Sequence, residues 1–406
     1  MSRALWLRVA KGTTAGYMEW APLLACLFGI AAAPARAAET QGYVIASFMT
    51  SVYTDQNTCP EGLNEGPDNK DVISHIPDPE LREKLRKALP ETLTNLMTHR
   101  GPNWADVCHL EASVSNPDVA AGPLSVPDPG MKLVEGKTSY GLNLDGTKDG
   151  APTENTCRHE KFSAPNGEPG IDNQLYRVLG CTVGFGPQGW FRIYGQQQMR
   201  DGDRSILVKV SGIEDPGNSS HITVDIADGA DAMIKDPKGN ILADVTYHEV
   251  NDARRHATTH GRIVDGVLTT DPVDLTVLKI RFTGAQIPST IYRARLRLEL
   301  KPDGTAKGVL AGYQNWQDIY RLLVHTGAND ELPLFFTCPG VYRAFQRAAD
   351  GGKDPKTGTC SETSVSYDVE LVPAHIAPPV TIKADLLEGE PRAAQREMTA
   401  VAIQQR

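Results

Sequence analysis

Between about residues 136 and 335, apolar positions alternate with polar ones in short β-branched runs broken by glycine, asparagine and aspartate. A period of two marks strands half buried in a sheet. The clearest runs are 205–210, 221–226, 275–282 and 291–300. In the last, Ile291, Arg293, Arg295 and Arg297 oppose Tyr292, Ala294, Leu296 and Leu298, which predicts one polar and one apolar face. Lys301-Pro302-Asp303-Gly304 predicts a turn into a partner strand over 306–313. Trp316, Ile319, Tyr320 and Leu323 then take helical spacing, and residues 364–372 alternate again, as an edge or closing strand would. These patterns predict a mainly β domain over 136–376, an antiparallel β-sandwich of jelly-roll-like type.

Residues 38–135 have a different texture, helical and loop-rich. Leu81, Leu85 and Leu89 recur every four residues after Asp78-Pro79, Pro90 restarts the stripe, and Gly101-Pro102 stops it. Prolines through 123–129 mark a boundary near 130. At the other end, residues 377–406 are polar without a core pattern and read as a tail.

Arg3, Arg8 and Lys11 precede an apolar stretch over 21–33, and Ala35-Arg36-Ala37 offers small residues where a signal peptidase cuts. Residues 1–37 are therefore expected to be an export signal. The stretch falls short of the roughly 20 residues that span a bilayer, and no later segment approaches that length, so no transmembrane segment is expected in the mature chain. Cleavage before Cys26 with lipidation of that cysteine is the competing reading. The formal charge of −9, from 41 basic and 50 acidic residues, disfavours nucleic acid as a partner, and losing Arg3, Arg8, Lys11, Arg36 and Glu19 makes the chain more acidic still. A periplasmic or secreted location follows.

Beyond Cys26 the chain keeps Cys59, Cys108, Cys157, Cys181, Cys338 and Cys360, an even set suited to an oxidising compartment. Their spacing suggests local couples: 59 with 108, 157 with 181, and 338 with 360. No C-x-x-C occurs, which removes the usual support for zinc ribbons and thioredoxin-like sites.

The most distinctive chemistry lies in Ser139-Tyr140-Gly141-Leu142-Asn143-Leu144-Asp145-Gly146, then Asp149, Cys157, His159, and Gly170-Ile171-Asp172-Asn173-Gln174-Leu175-Tyr176-Arg177. Hard oxygen donors on Asp145, Asp149, Asp172 and Asn173 could together hold a calcium ion, which takes six to eight oxygens in flexible loops. The same residue types also make side-chain-to-backbone turns and helix caps. The string SYGLNLDG, a later cysteine and GIDNQLYRVLGC resemble a recurrent signature of uncharacterised exported bacterial proteins, a resemblance that implies export and transfers no catalytic role.

Other candidates are weaker. His248, Asp252, His256 and His260 could bind zinc or copper if 256 and 260 shared a helical face, but Thr258, Thr259 and Gly261 favour a polar loop between strands. Residues 184–189 match G-x-G-x-x-G, yet 190–194 read as a strand where a dinucleotide site needs a helix. Asn218-Ser219-Ser220 is a glycosylation sequon. No nucleophile elbow or Walker loop occurs. The expected function is an exported, disulfide-stabilised binding or structural protein acting on an unknown ligand or extracytoplasmic polymer. The alternative is a carbohydrate-active enzyme with acidic catalytic residues, aided by Trp190, Tyr194, Tyr313 and Trp316 as sugar-stacking rings.

Overall fold

A computed structural model describes residues 38–64, 79–80, 83, 123–124, 128–202, 205–277, 289–324 and 336–382. In chain order its strands are β1 (Glu39–Thr50), β2 (Phe162–Ser163), β3 (Pro169–Ile171), β4 (Ser205–Ile213), β5 (Ser219–Gly229), β6 (Val245–Val250), β7 (His256–Val264), β8 (Val267–Thr270), β9 (Val273–Val277), β10 (Ser289–Leu300), β11 (Ala306–Asn315), β12 (Gly351–Lys353) and β13 (Cys360–Val380). The helices are α1 (Gln174–Leu179), α2 (Trp190–Asp201), α3 (Trp316–Leu323) and α4 (Cys338–Ala348).

The expected sandwich is not what forms. Strands β1, β4, β5, β7, β8, β10, β11 and β13 pair antiparallel in that order, and β13 returns to β1, closing an eight-stranded barrel. Two junctions close what would be open sheet edges. One is β5 with β7, and the other is β1 with β13, from Tyr43↔Pro373 to Thr50↔Tyr367. Alternation could not foresee this, because a barrel strand and a sandwich strand both place every second side chain in the core. The closing role of residues 364–372 is realised in β13, which runs past the expected end of the domain to Val380 and there pairs in parallel with β6.

Side chains fill the barrel interior. Tyr43 and Ile45 of β1, Val208 of β4, Val224 of β5, Leu296 of β10 and Val369 of β13 are almost wholly buried in one continuous core. The helices join it where β11 ends and β13 begins, through Val178 of α1, Tyr320 of α3 and Phe345 of α4. Helix α3 is the short helix expected from residues 316–323, begun by the Asn315 side chain, whose Oδ1 accepts from the Gln317 and Asp318 amides.

The two faces read from residues 291–300 hold only from Ala294 onward. Pairing slips between Tyr292 and Arg295, Arg293 takes φ +52°, and the bulge turns both Ile291 and Ala294 inward. Arg295 and Arg297 then point outward to hold a second layer, donating to the Asn143 carbonyl and the Glu168 carboxylate. Beneath that layer, Leu142 and Leu144 pack on Ala311 and Tyr313 of the outer barrel wall.

Three further expectations are corrected. Strand β1 lies within the segment read as helical and loop-rich. Its residues 43–45 are buried on both faces, so no alternation betrays them. Residues 190–194 begin helix α2, not a strand. The disulfides are Cys59–Cys181 and Cys157–Cys360, with Cα separations of 5.7 and 6.2 Å, and Cys338 is disulfide-bonded as well. The local couples 59 with 108, 157 with 181 and 338 with 360 are all excluded, because the second layer crosses the barrel and sets sequence neighbours apart. Cys108, the export signal at 1–37, the helical stripe beyond its helical residues Pro79, Glu80 and Glu83, and the tail after 382 lie outside the described residues.

Cys157–Cys360 joins positions 203 residues apart, the second layer to the closing strand. Replacing both with serine should lower stability by about 2–5 kcal/mol, as loss of a native long-loop disulfide does. Denaturant titration of the oxidised variant and wild type measures this, and peptide mapping without reduction should recover 59 joined to 181.

Candidate functional site

Five ionisable side chains and a tyrosine meet under the second layer, against the outer faces of β11 and β13. The stretch 139–146 carries Asp145 there. Gly141 sits at φ +156°, where a Cβ would come within 2.8 Å of Ile171 Cγ2 and 3.0 Å of the Asp172 carbonyl, so the two chains of the signature lie backbone against backbone. The Asp172 amide donates to the Leu142 carbonyl at 3.0 Å. Asn143 accepts from the Gly146 amide and Asp145 from the Thr147 amide, both at 2.8 Å, and this turn holds the Asp145 carboxylate inward. His159 and Lys161 enter from the extended chain before β2, two residues apart and hence on one face. Asp350 enters from the end of α4.

Lys161 Nζ lies 2.6 Å from Asp145 Oδ1 and 2.5 Å from Asp172 Oδ1. His159 Nδ1 donates to the Cys157 carbonyl at 2.8 Å, and Nε2 lies 2.7 Å from Asp172 Oδ1. A carbonyl on one side and a carboxylate on the other require both ring nitrogens to donate, so this imidazole is held as the cation. Burial alone would push the His159 value down. The Asp172 bond, the Asp350 charge and the Cys157 carbonyl outweigh it and raise it. For Asp145 burial pushes upward, but Lys161 and the Thr147 contacts bring the carboxyl below its ordinary value. Asp350 goes the other way. Burial pushes it up to about 7, against the pull of His159. Its Oδ1 accepts from the Ser364 amide, while Oδ2 has no hydrogen-bond partner and lies 3.7 Å from His159 Nε2. The Tyr313 hydroxyl is likewise buried without a partner, and its acidity is suppressed by burial and by the three aspartates.

The Asp145 and Asp172 carboxyl groups face the Lys161 amine and the His159 imidazole at contact distance, acids matched to bases as buried ionisable groups demand. Side-chain exposures of 5% for Lys161, 4% for His159, 1% for Asp145 and 0% for Asp172 and Asp350 leave no face for a polymer substrate.

Of the expected calcium donors, Asp145 and Asp172 come together. Asp149 instead accepts from the Ala151 amide in an exposed turn, and Asn173 caps α1, accepting from the Tyr176 amide and donating to Ser139 Oγ and the Tyr140 carbonyl. Asp145, His159 and Asp172 bring one ligand atom each within 4.8 Å of one another, spacing that could hold a metal ion. The chain's own ammonium on Lys161 bridges the two carboxylates.

The histidine candidates do not assemble. Residues 256–264 are strand β7, and four residues of extended chain separate His256 from His260 by about 13 Å. His248 pairs with Asp231 at 3.0 Å, and Asp252 caps the turn at Arg254. The glycine match at 184–189 does precede a helix, with Gly189 as N-cap of α2, but α1 and a 3-10 turn stand where the dinucleotide motif needs a strand. Tyr313 and Trp316 are core residues, 2% and 6% exposed.

Two outcomes test the cluster. Asp350 binds its proton more tightly folded than unfolded, so its contribution is full below about pH 4 and is lost as pH rises through about 7. Melting wild type against Asp350→Asn from pH 4 to 8 should show wild type losing ground steadily over that window, then levelling. With Lys161 between the carboxylates, chelation followed by calcium addition should leave the melting temperature unchanged. A calcium-dependent rise lost in Asp145→Ala, Asp172→Ala would place an ion there instead.

Set against known proteins, the chain matches no family model, no curated protein and no solved structure.

Proposed function

We propose that the protein is an exported, disulfide-stapled binding protein whose ligand seat is a cationic groove on the outer wall of the barrel. The observation that carries this reading is a groove of about 400 Å³ lined by Ser220 of β5, His260 and Arg262 of β7, Thr269 of β8, Asp271 between β8 and β9, and Arg295 of β10. Its volume lies in the range of small-ligand sites. Cations gather there although the chain as a whole is acidic. Arg262 has no ion-pair partner among the described residues, and Arg295 donates to a neutral carbonyl, which leaves its charge uncompensated.

An anionic ligand suits this groove, because a guanidinium meets carboxylate or sulfate with paired, charge-assisted hydrogen bonds, and the Ser220 and Thr269 hydroxyls can add neutral ones. An extracytoplasmic polymer carrying such groups fits the open form of the site. Hydrolysis of a polysaccharide finds less support. Glycosidases need two carboxyl groups flanking the bond, and Asp271 is the one carboxylate among the described lining residues. The aspartates that do cluster are sealed from solvent, and the barrel interior is occupied by its own side chains. Both support a structural role for the cluster and favour a binding site on the outer surface.

Titration calorimetry with a uronic-acid oligosaccharide and a neutral one of equal length tests the reading. The acidic ligand should bind, more weakly as salt rises. Arg262→Ala should weaken it about tenfold or more, since a charge-assisted hydrogen bond contributes roughly 1.5–3 kcal/mol. Equal binding of the neutral oligosaccharide would sink the proposal.

A further inference from the structure

Lys161 and Asp172 are placed to do more than attract one another. We infer that their side chains join in an intramolecular amide, formed by the protein on itself, between Lys161 Nζ and Asp172 Cγ. The geometry gives each neighbour a separate task. Nζ is 2.5 Å from Asp172 Oδ1, one bond from the carbon it would attack, and 2.6 Å from Asp145 Oδ1, which can take a proton from the ammonium and free the lone pair. His159 Nε2, 2.7 Å from Asp172 Oδ1, is the acid that protonates the departing oxygen. The Leu144 amide donates to Asp172 Oδ2 at 2.8 Å and holds the oxygen that becomes negative in the tetrahedral intermediate. Asp350 Oδ2, unpartnered and 3.7 Å from Nε2, lies beside that imidazole and, when ionised, favours the protonated form needed at the start.

The balance closes without any co-reactant. The N–C bond forms, the Cγ–Oδ1 bond breaks, and Oδ1 leaves as water carrying one proton from His159 and one from the attacking nitrogen. The product is a secondary amide beside a neutral imidazole and a protonated Asp145. In water, ammonium and carboxylate do not condense, because both ions are well solvated. Here neither is solvated, and holding the reactants in contact supplies the advantage that effective molarities of about 10⁵–10⁸ M express. Condensation, with its proton transfers, also removes four buried charges whose desolvation opposes folding.

Mass spectrometry of the full chain as secreted decides it. After reduction and denaturation, with the N-terminus read from its terminal peptide, the intact mass should fall one water below the sequence value. Fragmentation should then find the peptide carrying Lys161 joined to the one carrying Asp172. Asp172→Ala should restore the full mass, and Asp145→Asn should leave most of the chain unjoined. Full mass in the wild type, with Lys161 reactive towards an amine label after denaturation, overturns the inference. So does a water loss mapped to any other residue pair, Asp145 included, and these readouts need no variant to fold.

Discussion

Everything in the second layer is arranged around one ammonium that has nowhere else to go. Lys161 brings an amine into a site sealed from water as the chain folds, and its charge is tolerated there only if carboxylates meet it at contact distance. Asp145 and Asp172 do so at 2.6 and 2.5 Å, from the two halves of the signature. The turn at 143–147, the close backbone approach at Gly141 and the cap at Asn173 are the geometry that delivers those carboxylates. The barrel provides the floor. Tyr313 and Ala311 on its outer wall exclude water from below as Leu142 and Leu144 do from above.

Such a centre is costly to break and weak as a source of net stability. Removing one partner strands the others, typically at about 3–5 kcal/mol, while replacing the whole set with packed apolar groups is often neutral. Its value lies in specificity, since only one placement of the 136–173 segment on the wall of β10, β11 and β13 satisfies every charge. The outward arginines of β10 reinforce that register from the side. Beside it, His260 and Arg262 stay open to solvent.

The sequence made the individual barrel strands legible where polar and apolar positions alternate, as in β5 and β10. It hid β1, buried on both faces, and it hid closure itself, which is a property of pairing and not of any strand. For the centre, Asp145 and Asp172 stood out because they sit in an unusual glycine-rich signature. His159 and Lys161 carried a readable signal, alternate positions in an extended run between them and a cysteine, but their meaning depended on carboxylates to be supplied from elsewhere. Asp350, in an ordinary helix terminus far along the chain, had no local signal at all. Disulfide partners failed for the same reason, because proximity in sequence is no guide once a layer crosses a barrel.

Closure through β1 and β13 ties the first described strand to the last, and this has a temporal side. A chain made from its N-terminus delivers β1 early and β13 late. Until then β1 can pair with β4 alone, leaving one edge with unsatisfied amides and carbonyls able to recruit another chain. The barrel cannot mature strand by strand. Its completion is a long-range event, slow by the measure of contact order, and Cys360, which opens β13, can reach Cys157 only in the same late phase. In the compartment where it folds, the protein passes through an interval as an open sheet, and whatever shields that edge governs its yield.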